Sequence, residues 1–171
     1  MDVIVTKYNE EWNLMFQEAS CKIKEIFAEA LIDIHHIGST SVPGLTAKPI
    51  IDMMPVVRNI EVIDNFNTQM TELGYECMGE FGMSGRRYFR KGGTNRTHHI
   101  HVFQIDNKID IDRHLAVRDY LRSHPEAVEQ YGNLKADLAN QFPKDIEAYM
   151  DGKEAFVTEL ERTALEWYSN E

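Results

Sequence analysis

The chain has 171 residues and a formal net charge of −10, from 18 Lys and Arg against 28 Asp and Glu. That balance excludes a broad surface for coating DNA or RNA, so no nucleic-acid polymer is expected as a partner. No apolar run is long enough to cross a membrane, and the two cysteines, Cys21 and Cys77, lack the spacing of a thiolate zinc site.

The first residues, MDVIVTKYNEEW, have no charged segment leading into a long apolar one, so export is not expected and the cytoplasm is the expected compartment. Asn9 is placed to cap a helix whose Trp12, Phe16, Ala19, Ile23, Ile26, Phe27 and Ala30 recur at three- and four-residue spacing. That face is core packing. A short strand at about Asp33–Ile37 runs into Gly38 and Ser39, and the loop after it, with two prolines and a glycine, cannot be regular for long. Ile50–Val57 reads as a strand covered on both faces. Asn59–Leu73 predicts a helix with Ile60, Ile63, Phe66, Met70 and Leu73 on one side, and Gly74 marks its stop.

Three further strands are expected at Tyr75–Met78, Arg86–Lys91 and His98–Gln104, the last two joined by the glycine-rich GGTNRT. From Asp110 the pattern turns helical, with Pro125 and Pro143 at helix starts, giving two or three closing helices. The expectation is a single α/β (α+β) unit over residues 1–171. It comprises a mixed β-sheet flanked by helices to about residue 108 and a helical part from about 109 packed on that sheet.

Charge is unevenly placed. No acidic residue occurs from Ile34 to Ile51 or from Phe81 to Ile105, yet these windows hold Lys48, Arg86, Arg87, Arg90, Lys91 and Arg96. Concentrated positive charge suits a small anion in a pocket, while the plain alternative for Arg86–Lys91 is the solvated face of a hairpin. Asp52 is the one polar side chain in its strand, and packing does not call for it. Period-two alternation sets His99 and His101 on one strand face, about 7 Å apart. Asp52, His99 and His101 are therefore candidate ligands for a divalent metal, and two hydrogen-bonded sheet histidines are the simpler alternative. Gly38 and Ser39, with Thr40 beside them, can grip phosphate through backbone N–H groups and hydroxyls, and Lys48 supplies a cation. His36 leans toward the pocket in this reading. His124 is taken as a helix-junction residue and Arg122 as a surface one.

HIGSTSVPGLTAKPIIDMMPVV, THHIHVF and RDYLRSHPEAVEQYGNLKADLA followed by AYMDGKEAF resemble the signature segments of the GrpB family, a bacterial group placed in the nucleotidyltransferase superfamily. The resemblance covers most of the chain and implies a nucleotidyltransferase-like fold. It also implies a ligand that is a nucleotide or phosphorylated small molecule, a divalent metal (Mg, Mn or Zn), and possible nucleotidyl or phosphoryl transfer. Under it, Asp52 and Lys48 are the catalytic candidates. Gly38, Ser39, Thr40, Arg86, Arg87, Arg118, Lys135, Tyr149 and Lys153 are the phosphate and nucleotide candidates, with tyrosine and lysine stacking a base and holding phosphate. The superfamily carries a second acid two residues after the first, where this chain has Met54, a thioether unsuited to magnesium. The alternative function is a catalytically inactive phosphate-ligand or metal-binding module that has lost the two-metal centre.

Overall fold

A computed structural model describes residues 2–170. Asn9 accepts a hydrogen bond from Glu11 N at 2.9 Å and opens helix α1 (Glu11–Phe27), whose buried side is Trp12, Ile23 and Phe27. Strand β1 (Leu31–Ile37) follows, then a single 3-10 turn at Ser39–Ser41 and strand β2 (Ile51–Val57). The expected helix after β2 forms in two pieces, a 3-10 segment at Ile60–Phe66 and the short α2 (Asn67–Glu72). Gly74, at φ +97°, ends it.

The strands β3 (Tyr75–Cys77), β4 (Arg86–Lys91) and β5 (His98–Gln104) complete a five-stranded sheet in the order β1-β2-β5-β4-β3. Only the β2–β5 pair is parallel, so the sheet is mixed as expected. Its register sets Asp52 beside His99 on one side and beside Ile37 on the other. Tyr88 and Arg90 of β4 stand opposite His101 and His99.

Alternation divides the sheet into two faces. Ile51, Met53, Val57, Ile100 and Val102 pack beneath α1 together with Ile63 and Met70, forming the larger core. The other face carries Ile37, Met54, Val56 and Phe103, covered by Ile111 of α3 (Lys108–Ser123). Helices α4 (Pro125–Gln141) and α5 (Ile146–Ser169) join through a second cluster, where Tyr131 and Leu160 close on Val42 and Leu45 of the loop before β2. The helical part thus packs on the sheet and its loop. Toward Asp52 the apolar cover stops, and α4 and α5 stand over the gap with polar side chains. Among the described residues no helix is long and apolar enough to cross a membrane.

Candidate functional site

Asp52 sits at the second position of β2, and its Oδ1 lies 3.4 Å from both His99 Nδ1 and His101 Nε2. The other nitrogens decide the tautomers. His99 Nε2 is buried without a hydrogen-bond partner, so a neutral ring places its proton on Nδ1, toward Asp52. Arg86 Nη1 faces His101 Nδ1 at 3.5 Å as a donor, which leaves the His101 proton on Nε2, again toward Asp52. Burial works to raise the Asp52 carboxyl, but hydrogen bonds from His101 and His99 outweigh it and hold the acid well below the usual carboxylate range. Asp52 is an ionised group with two donors.

Candidate ligand atoms of Asp52, His99 and His101 lie within 4.8 Å of one another. The set fits one divalent cation: a carboxylate oxygen and two imidazole nitrogens suit zinc, manganese or iron better than magnesium. A cation held there would be bound through His99 Nδ1 and His101 Nε2 in place of their protons, each neutral ring then carrying its proton on the other nitrogen.

Beside the acid lies a hollow of about 240 Å³. Ser39 and Lys48 reach it from the loop between β1 and β2, Lys135 from α4, and Tyr149, Met150 and Lys153 from α5. Lys135 is only 2% exposed, and it donates to Ser39 Oγ and, at 3.2 Å, to the carbonyl of Thr46. Burial lowers its amine well below the ordinary lysine range, with repulsion from Lys153 adding to the effect. Lys153 is brought down to about 8, mainly by burial and then by Lys48, against the pull of Asp52. Lys48 is lowered by burial too. Three ammonium groups crowd one carboxylate, an arrangement that an anion would relieve.

The structure brings Gly38, Ser39, Thr40, Lys48, Asp52, His99, His101, Lys135, Tyr149 and Lys153 together, but the arginine candidates go elsewhere. Arg87 points from the opposite face of the sheet and is held by Asp64 at 2.8 and 3.2 Å. Arg90 pairs with Glu76 at 3.2 Å, so both arginines are committed to carboxylates outside the hollow, and the Arg87 side chain, 14% exposed, is packed and not solvated. Arg86 shares the Asp52 face but stands behind His101, tied to the carbonyls of Glu80 and Phe81. Arg118 donates to the His36 carbonyl at 3.3 Å and to Asp119 at 2.8 Å, which makes it an anchor of the turn. Arg122, expected at the surface, anchors the same turn through Ser41 O at 3.0 Å. The Thr40 hydroxyl is committed as well, donating to Ile50 O and facing His36 Nε2, each at 3.0 Å. His36 therefore leaves the pocket for the α1 face, where its ring stacks on Phe16 at 4.8 Å. Met54, at the second acidic position, is 0% exposed inside the smaller sheet-face core.

One residue near the site escaped the sequence reading. His114 of α3 lies 5.7 Å from the His101 ring, and burial pushes it down to about 4. Its helical spacing of four from Arg118 was the available signal.

A mixed sheet with a Gly-Ser turn facing an acid on the next strand, roofed by helices, defines a nucleotidyltransferase-like fold. The GrpB protein family matches over residues 2–163, and the chain belongs to that family. It is 47% identical over 165 residues to the UPF0157 protein YqkA of Bacillus subtilis, aligning over 96% of its own length but spanning about half, 48%, of YqkA. The crystal structure of the conserved protein GrpB from Enterococcus faecalis superposes with a TM-score of 0.94 at 48% identity, covering 96% of this chain and 99% of that one. The poly(U) polymerase Cid1, solved with Mg 3′-dATP, is a distant likeness of fold alone. Its TM-score is 0.55 at 14% identity, over 79% of this chain and 43% of Cid1.

Proposed function

We propose that the hollow binds the phosphate portion of a nucleotide or phosphorylated small molecule beside one divalent cation held by Asp52, His99 and His101. The observation that carries this reading is the convergence of Lys48, Lys135 and Lys153 with the Ser39 hydroxyl on a cavity whose floor is that acid. Small lysine-lined cavities without a carboxylate for each ammonium are costly to fold and are repaid by anion binding.

The reaction this set supports is phosphoryl or nucleotidyl transfer. An acceptor oxygen bonds to phosphorus and loses its proton to solvent through the open side of the hollow. The bridging P–O bond breaks, and the leaving phosphate is received by the lysines. The cation, when bound, neutralises charge on the phosphoryl oxygens. A second reading, the inactive module, is favoured by one observation, the burial of Met54 where a second metal ligand would stand. The test is incubation with a panel of nucleoside triphosphates and phosphorylated acceptors in Mg²⁺, Mn²⁺ or Zn²⁺. Release of phosphate or pyrophosphate that is lost in Asp52→Asn supports the enzyme. Metal-dependent binding without turnover supports the module, and absence of any response to phosphate or metal removes both.

A further inference from the structure

Tyr149 borders the hollow and Tyr131 stands behind its Lys135, and the ring faces of both are already taken. Tyr149 is 1% exposed, with the Lys48 and Lys153 ammonium groups 5.5 and 5.4 Å from its ring centroid. Tyr131 lies against Lys135, 4.1 Å from its centroid, and against Phe156, stacked at 5.1 Å. A base recognised by stacking needs an open ring face, and neither tyrosine offers one. Base edges read by hydrogen bonding need groups free to face them, yet the Thr40 hydroxyl is engaged with Ile50 O and His36, and the Ser39 hydroxyl sits against Lys135 where a phosphate oxygen is received.

Charge is what the hollow supplies. Three lysine amines stand against one carboxylate; a bound anion favours their protonated forms, and with all three charged a divalent cation at Asp52 would bring the local excess to about four, near the charge of an ionised triphosphate chain. The adjoining cleft of about 620 Å³ shares Lys48 and Ile50 with the hollow. Its wall of Ile4, Pro49, Thr94, Asn95 and Arg96 includes no aromatic ring, so an organic group placed there has room but no ring to stack on.

We propose that the hollow recognises a di- or triphosphate chain and does not read the base, so that its ligand class is polyphosphate compounds whatever organic group they carry, inorganic tripolyphosphate included. This rests on the phosphate-binding reading above and narrows it.

The experiment is calorimetric titration of the full chain in Mn²⁺ with ATP, GTP, CTP, UTP, inorganic tripolyphosphate and adenosine. The four nucleotides are expected to bind within about threefold of one another, and tripolyphosphate within about tenfold of them and in competition with ATP, while adenosine gives no heat. Lys153→Met should weaken ATP and tripolyphosphate by the same factor. A preference of tenfold or more for one base, or tripolyphosphate that fails to displace ATP, overturns base indifference and leaves phosphate binding standing. Failure of every phosphate compound overturns both.

Discussion

A β-carbon at position 38 would fall 2.7 Å from Asp52 Oδ2, so the turn after β1 rests directly on the acid. Gly38 also has φ +70° and ψ −172°, a region that essentially only glycine occupies. Gly38→Ala must therefore strain the backbone and push the carboxylate from its two imidazoles. The expected result is a loss on the order of 1–3 kcal/mol of stability in thermal or urea denaturation. Metal binding should weaken in the same variant.

Asp52→Asn keeps the shape of the side chain and removes its charge. The amide can still accept from one imidazole, so folding should be little changed in circular dichroism. Divalent metal affinity should fall by about 100-fold or more, because two neutral imidazoles with no anionic ligand make a poor site. Metal analysis after dialysis, run beside the parent protein, reads this directly; equal metal content in both would place any metal elsewhere.

Lys135 separates folding from binding. Its ammonium is buried with a hydroxyl and a carbonyl as its hydrogen-bond partners, without a carboxylate among them. Lys135→Met fills the same space without the desolvated charge, and its stability should stay within about 1 kcal/mol of the parent or rise. Tripolyphosphate affinity should drop by about tenfold or more, since a charge facing the anion at close range is gone. A variant that binds as well as the parent would show that Lys135 supports the Ser39 turn alone.

The sequence displayed much of this arrangement, for identifiable reasons. The ranges of β4 and β5 match their alternation, and period two alone put His99 and His101 on one face and made Asp52 an anomaly. Alternation also separated Arg87 from Arg86, but a run of adjacent charges read as one patch hid it. Ile60, Ile63 and Phe66 recur at a spacing of three, the repeat of the 3-10 helix that forms there, and the expectation of a continuous α-helix passed over this. Roles that depend on where one helix lands against a distant loop were not legible: nothing local in α3 says that Arg118 and Arg122 hold the turn after β1. Lys135 and Lys153 were singled out by the family's motifs, while their shared cavity and lowered basicity come from packing.

Lys153 should give binding and stability opposite responses to pH. Its amine titrates at about 8 in the folded chain, against 10.5 for an ordinary lysine. Raising pH through 8 removes a positive charge from the hollow, so tripolyphosphate affinity should fall, by up to about tenfold between pH 7 and 9. Between 8 and 10.5 the unfolded chain holds more protons at this position, so its contribution makes the ligand-free protein more stable as pH rises. Lys153→Arg remains charged across the range and should flatten the binding profile. An unchanged profile would assign the titration to another group.

His36 should make the fold sensitive to acid. Its ring is 7% exposed, stacked on Phe16 and hydrogen-bonded to Thr40. Burial, with Arg122 and Arg118 adding to it and Asp52 opposing, lowers it from 6.5 to about 4. Above pH 6.5 both folded and unfolded chains keep this imidazole neutral. Between 6.5 and 4 the unfolded chain takes up the proton first, so stability falls as pH drops through that window, by on the order of 1–3 kcal/mol for this residue. Asp52 stays ionised throughout, since its two donors hold it below the window. His36→Gln cannot titrate yet can still donate to Thr40, so its denaturation midpoint should change less between pH 6.5 and 4 than that of the parent. His98 and His114, also lowered to about 4 by burial, should supply the slope that remains. Equal slopes for parent and variant would mean that His36 takes up its proton as readily in the folded chain as in the unfolded one, which its stacking and its single hydroxyl partner argue against.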